Sequence, residues 1–150
     1  MIGWLLDTNV IAALINPKGA PSVKSWATTQ SEDMLFMSIL TLSEYDKGIH
    51  NLPVEHAERS RYIAARDALE ARFQGRILSV DDNIVRQWGN ISGSVKRRTG
   101  HSPSVIDTLL AATAIQNELF LVTRNTKDVQ HSGAAIFNPW DDDPSEFVLA

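Results

Sequence analysis

The sequence predicts an α/β fold, with helices packed on a central, mainly parallel sheet. Three observations carry that reading. Short apolar stretches of strand length alternate with longer stretches of helical periodicity, the order expected of β–α units. Four carboxylates, Asp7, Glu44, Asp107 and Asp128, each stand at the opening of a predicted helix, and Asp7, Glu44 and Asp128 follow apolar strands within a few residues. With 150 residues the chain is one domain, long enough to bury a core. If the strands run parallel, the helix openings collect along one sheet edge, where open α/β folds hold their ligands.

Gly3–Leu6 is the first predicted strand. It runs into Asp7, Thr8 and Asn9, polar residues suited to capping a helix over 10–15. Pro17, Gly19 and Pro21 then break the chain. Residues 22–30 read as a short helix with Val23, Trp26 and Ala27 at core spacing, and 34–37 as an apolar strand. Thr41 and Glu44 are spaced as a capping box opening a helix that ends at Gly48. Pro53 sits where a first helical turn would start, and 55–73 forms a long surface helix with Ala57, Ile63, Ala64, Ala68 and Leu69 inward. Gly75 ends it.

Residues 76–80 predict another strand, and Asp81 and Asp82 cap a helix through Ile84, Val85, Trp88 and Ile91. The polar stretch 92–102 reads as an extended basic loop. Pro103 and Ser104 start the helix of Asp107, Leu110, Ala111 and Ala114. Strand 119–123, an irregular or one-turn helical segment 124–132, and strand 134–137 complete the pattern. The domain thus spans 1–138, and 139–150 is a tail whose end, from Asp141, is expected to be loosely held.

Composition narrows the setting. No apolar run approaches the ~20 residues of a membrane helix, so no membrane role is expected. Asp7 and Asn9 interrupt the apolar N-terminus, and no basic segment precedes it, which argues against a signal peptide. Without cysteine there are no disulfides or thiolate metal sites; a cytoplasmic location is the expectation. Acids outnumber bases 18 to 14, but Asp141, Asp142, Asp143 and Glu146 lie in the tail, leaving the rest balanced. Basic residues group at Lys96, Arg97 and Arg98, ahead of Asp107, and at Arg124 and Lys127, around Asn125. These are candidates for holding phosphates locally, with solvated surface charge the equal alternative for the first group. Trp26 and Trp88 read as core; Trp140 either anchors the tail or joins an interface.

Each acid alone reads more simply as a helix cap, since Ser104 with Asp107 and Asn125 with Asp128 repeat the capping spacing. Recurrence at so many helix starts along one edge favours a second role. A Mg²⁺ or Mn²⁺ site needs several oxygen ligands from separate segments, and the helix dipole keeps such carboxylates ionised. The histidines lack a ligand spacing, and only His101 lies in the stretch ahead of Asp107. A metal-free site built on a histidine pair is the weaker reading, and neither an Asp-x-Asp motif nor a receiver-type acidic pair with a distal lysine appears around Asp7 to support a phosphotransfer domain.

The residues Leu6-Asp7-Thr8-Asn9-Val10, then Thr41-Leu42-Ser43-Glu44 with Gly48, then Ile106-Asp107-Thr108 with its run of small residues, then Val122-Thr123-Arg124-Asn125-Thr126-Lys127-Asp128 resemble the ordered motifs of a PIN domain. The size and the ending Phe137-Asn138-Pro139-Trp140 are similar to VapC-type toxins of prokaryotic type II toxin–antitoxin pairs, including the FitB branch. The resemblance implies a three-layer α/β/α sandwich and a Mg²⁺- or Mn²⁺-dependent ribonuclease. Asp7, Glu44 and Asp107 take the three main acidic positions, with Thr8, Asn9 and Thr123 orienting carboxylates or water. Many PIN domains carry an aspartate where this chain has Asn125, while many VapC-type members have asparagine there and an aspartate three residues on. Asp128 is thus expected as fourth catalytic and metal-binding acid, assisted by Asn125. The implied partners are RNA, a VapB-type antitoxin, a second copy in a homodimer, and operator DNA only through the antitoxin. The alternative is a catalytically weak or inactive PIN module that works as a binding partner within a DNA-binding complex.

Overall fold

In the computed structural model, which describes residues 1–150, the register of three strands fixes everything else. β1 (Gly3–Leu6) pairs in parallel with β2 (Leu35–Ser38) on one side and with β4 (Leu119–Val122) on the other, so that Leu6 stands level with Met37 and Val122. β3 (Ile77–Leu78) extends the sheet beyond β2 and β5 (Ile136–Phe137) beyond β4, giving the order β3-β2-β1-β4-β5, all parallel. The chain moves outward from β1 in one direction as far as β3 and then crosses to the other side. Its reversal point lies between β1 and β4, at their C-terminal ends.

Helices cover both faces, so β1 is buried at every position. Trp4 and Leu6 face α1 (Thr8–Ile15), α2 (Pro21–Thr28) and the hairpin of α3 (Ile39–His50) and α4 (Ala57–Arg72); the core there includes Val10, Ile11, Trp26, Leu42, Leu69 and Phe73. Leu5 faces α6 (Val105–Gln116) and the one-turn α7 (Thr126–Val129), through Leu110, Ala111, Ala114 and Val129. The small residues of α6 let it lie close to the sheet. α5 (Asp82–Thr99) packs on its outer side through Ile84, Ile91 and Val95.

Four expectations change. The predicted loop holding Lys96, Arg97 and Arg98 is the last two turns of α5, because Val95 prolongs the stripe begun by Ile84 and Ile91; only at Gly100, with φ 81°, does the helix stop. The three cations therefore sit in its last turn, where they complement the helix dipole. Ser38, not Thr41, caps α3, its Oγ accepting from the Leu40 N–H at 3.0 Å, which places Glu44 in the second turn. α3 also runs past Gly48 to His50, since Ile49 continues its buried face. Asn125 precedes α7 without a side-chain cap bond, so it and Asp128 form no capping box.

The tail is also anchored. Phe147 packs 4.7 Å from Phe137 and 5.6 Å from Phe120 between ring centroids, Leu149 joins the same core, and the Ala150 N–H donates to the Met1 carbonyl at 2.9 Å. An alternation of inward Phe147 and Leu149 with outward Val148 explains the contact. Full burial makes a Phe→Ala change cost ~3–5 kcal/mol. Phe147 is half-buried, so Phe147→Ala is expected to lower stability by about 1.5–3 kcal/mol, read as a lower urea midpoint at unchanged m-value; an unaltered midpoint would show the tail to be unattached.

Candidate active site

The strand register delivers the first acid. Asp7 follows β1 directly, its N–H donating to the Val122 carbonyl of β4 at 2.9 Å, and it is 6% exposed. Its carboxylate accepts from the Thr123 hydroxyl at 2.7 Å, the Thr8 N–H at 2.7 Å and the Asn9 amide at 3.3 Å. Thr123, itself buried at the end of β4, also accepts from Asn9 Nδ2 and from the Asn125 N–H. Asp7 is thus fixed in place by both strands that border the reversal point.

Glu44 arrives by another route. The Thr8 and Thr41 hydroxyls are 3.1 Å apart and tie α1 to α3. Glu44 lies one turn after Thr41, on the same face. Asp107 comes from the first turn of α6, where Ser104 Oγ accepts its N–H at 3.5 Å. The three acids share one groove of about 840 Å³ with Thr8, Asn9, Ser43, Lys47, Gly48 and Asn125. Asp128 does not line it; that residue borders a second cavity on the far side of the α6 N-terminus.

The electrostatics mark the groove as under-compensated. Elsewhere Glu32, Asp46, Glu58 and Asp67 each pair with an arginine, whereas Asp7, Glu44, Asp107 and Asp128 form no ion pair. Burial raises the Asp7 carboxyl above its usual range, with the three hydrogen bonds opposing it. At Glu44, desolvation and then the Asp7 charge raise the pKa, Asp107 adding to it while the Thr8 hydroxyl and then Lys47 oppose; at Asp107, desolvation leads and the charges of Asp7 and Asp128 follow, against the Ser104 hydroxyl. Asp128 therefore reaches the groove through its field at Asp107.

Every donor in this set is a hard oxygen, as Mg²⁺ and Mn²⁺ require, and negative charge exceeds the single lysine lining the groove. No three carboxylates converge on a common point. That suits a hydrated cation held by one or two carboxylates, the usual way Mg²⁺ is bound.

The expected basic residues are scattered. Arg98 donates to the His131 carbonyl at 2.9 Å, Lys127 borders the second cavity, and the Arg124 guanidinium lies 5.2 Å from the Trp140 ring centre while its N–H donates to Asn9 Oδ1. None lines the groove. The cation that does, Lys47, went unnoticed in the sequence, although its position one turn beyond Glu44 was the available signal. Asp46 is a structural partner of Arg66 on α4, at 2.9 Å.

The PIN domain family model matches residues 4–131. The chain belongs to the PIN-domain family. The PIN domain is 29% identical over 138 residues to Toxin FitB of Neisseria gonorrhoeae, covering 92% of this chain and 99% of that protein. It is 26% identical over 137 residues to VapC ribonuclease Y4jK of Sinorhizobium fredii, covering 91% and 97%. A chain in the structure of FitAB bound to an IR36 DNA fragment superposes with a TM-score of 0.81 at 27% identity, covering 93% of this PIN domain and 97% of that chain. No helix is long and apolar enough to cross a membrane.

Raised carboxyl pKa values have a definite consequence for stability. In the metal-free PIN domain these groups hold protons more tightly folded than unfolded, so stability falls as pH rises from the ordinary carboxylate range through the raised values, and the full penalty is present above them. Glu44→Gln removes one such penalty. The variant should melt about 1–3 °C above the wild type at neutral pH, and the difference should vanish once both forms are protonated, near about pH 3–4. A lower melting temperature for Glu44→Gln in EDTA at neutral pH would contradict the electrostatic account.

Proposed function

We propose that this chain is the toxin of a type II toxin–antitoxin pair and acts as a Mg²⁺- or Mn²⁺-dependent ribonuclease. The observation that carries it is the meeting of Asp7, Glu44 and Asp107, all without ion pairs, in one groove at the sheet's reversal point. The relatives named as a toxin and as a ribonuclease support the same reading.

In this mechanism Asp7 is the fixed reference ligand, because Thr123, Thr8 and Asn9 allow its carboxylate one orientation. Glu44 and Asp107 complete the negative set, with Asn125 offering a neutral oxygen. A divalent cation bound there supplies Lewis-acid activation of the scissile phosphate and of the attacking water. Lys47, on the groove wall, meets phosphate charge. Asp128 strengthens the field at Asp107 and is not a direct ligand, which changes the role expected from sequence. Lys96, Arg97, Arg98, Arg124 and Lys127 are outer contacts for RNA lying beyond the groove.

Single-stranded RNA incubated with the purified protein should be cleaved in Mg²⁺ or Mn²⁺ and spared in EDTA, with Asp7→Asn and Asp107→Asn reducing cleavage to background. Cleavage that persists in chelator sinks the mechanism. The non-catalytic alternative draws on one observation, the structural neighbour held in a DNA-bound complex, and predicts no cleavage by the wild type with any cation. The proposed antitoxin would cover the groove and set a basic side chain among the acids, displacing the cation's charge without activating water; a homodimer belongs to the same proposal.

Calorimetric Mn²⁺ titration separates the roles of Asn125 and Asp128. A charge acting from a distance is screened by salt. Asp128→Asn should therefore weaken Mn²⁺ binding only a few-fold, by a factor that shrinks as ionic strength rises, whereas loss of a direct ligand would cost roughly tenfold or more at any salt.

A further inference from the structure

The second cavity, of about 250 Å³, lies between the C-terminal end of α5, the N-terminus of α6, and α7 with the turn after it. Its lining is mainly polar, with an apolar patch from Ile91, Val95 and Pro103, and His101, Ser102, Lys127, Asp128 and His131 border it at exposed positions. The side chains of these five rim residues make no hydrogen bond or ion pair with the rest of the chain, although the backbone carrying them is closely pinned. Arg98 and Thr99 hold the carbonyls of His131 and His101, the Thr99 hydroxyl accepts from the His101 N–H, and Ser132 Oγ donates to the Val129 carbonyl. A pinned backbone that carries unengaged polar groups beside an apolar patch offers a planar ligand both a surface and hydrogen-bonding partners.

Its position selects the ligand. The first turn of α6 separates the cavity from the acidic groove, with Ser104 on the cavity side and Asp107 on the groove side. α7 divides them likewise: Asn125, just before it, lines the groove, and Lys127 and Asp128 line the cavity. We infer that the cavity is a nucleotide subsite, taking one unstacked base of a single-stranded RNA whose backbone continues into the acidic groove. The base lies on Ile91, Val95 and Pro103 with an imidazole against its face, Asp128 and Ser102 meet its polar edge, and Lys127 meets the adjoining phosphate. Single-stranded RNA is recognised in this way, by splayed bases stacked on flat side chains and hydrogen-bonded at their edges. The inference rests on the ribonuclease reading above and deepens it: the cavity would set which base flanks the cut.

The chain has four histidines, two in the cavity and two, His50 and His56, at the ends of α3 and α4. Imidazole proton resonances of full-length Asp7→Asn protein, which needs no cleavage for the readout, should shift at His101 and His131 on adding one of the four 5′-nucleoside monophosphates, with His50 and His56 unmoved. Lys127→Ala and His131→Ala, both at exposed positions, should each weaken that binding roughly fivefold or more. In the otherwise wild-type protein they should alter which base flanks the cut. Equal shifts at all four histidines, no shift with any nucleotide, or the same shift with inorganic phosphate alone would overturn the subsite. Selective shifts in a protein that cleaves no RNA would leave the subsite standing and remove the ribonuclease reading. Cleavage with an unchanged base preference in both variants would do the opposite.

Discussion

The hydrogen bond from the Thr123 hydroxyl to the Asp7 carboxylate, 2.7 Å long and buried, is the contact on which the groove depends. It can form only if β1 and β4 are adjacent, parallel and level, so that the residues leaving Leu6 and Val122 emerge side by side. That register follows from packing. Trp4 and Leu6 must meet the helices on one face while Leu5 meets α6 on the other, and a slip of one residue would reverse all three. A polar bond in the site thus rests on an apolar constraint in the core.

The same contact explains why negative charge can gather here. Burial of Asp7 is costly on its own, and the donors around it offset part of that cost without neutralising it. Glu44 and Asp107 are held by their own helices and cannot retreat far from the field. The groove therefore stores electrostatic repulsion in its resting state, as sites that bind a charged partner commonly do. Four acids elsewhere do pair with arginines, among them Glu32 with Arg72 and Asp46 with Arg66.

Much of this was legible in the sequence. Strand–helix alternation gave the parallel sheet, and the acids at helix openings pointed to one edge because a parallel sheet puts all its strand ends there. Asp7, just after β1, and Glu44, in the second turn of the helix after β2, stand together for that reason, and Asp107 joins them because α6, which leads into β4, begins at the same edge. The failures have physical causes as well. Glycine, serine and basic residues in the second half of α5 looked like loop, but the stripe reaching Val95 has a partner in α6 that composition does not reveal. Thr41 resembled a cap until the adjacent end of β2 supplied Ser38. The separation of Asn125 from Asp128 is set by how α7 turns between two cavities, a tertiary matter. The anchorage of the tail depends on Phe120 and Phe137, strands away.

The distance in sequence between Asp7 and Thr123, 116 positions, has a consequence for the birth of the molecule. Chains emerge from the ribosome N-terminus first, so Asp7, Thr8 and Asn9 are made long before the hydroxyl that orients Asp7. Phe137, Phe147 and the Ala150 bond to Met1 follow later still. A nascent or truncated chain lacking β4 has its acids but not their arrangement. The groove is therefore assembled only after β4 has emerged, and fragments that stop short of Thr123 carry no finished site.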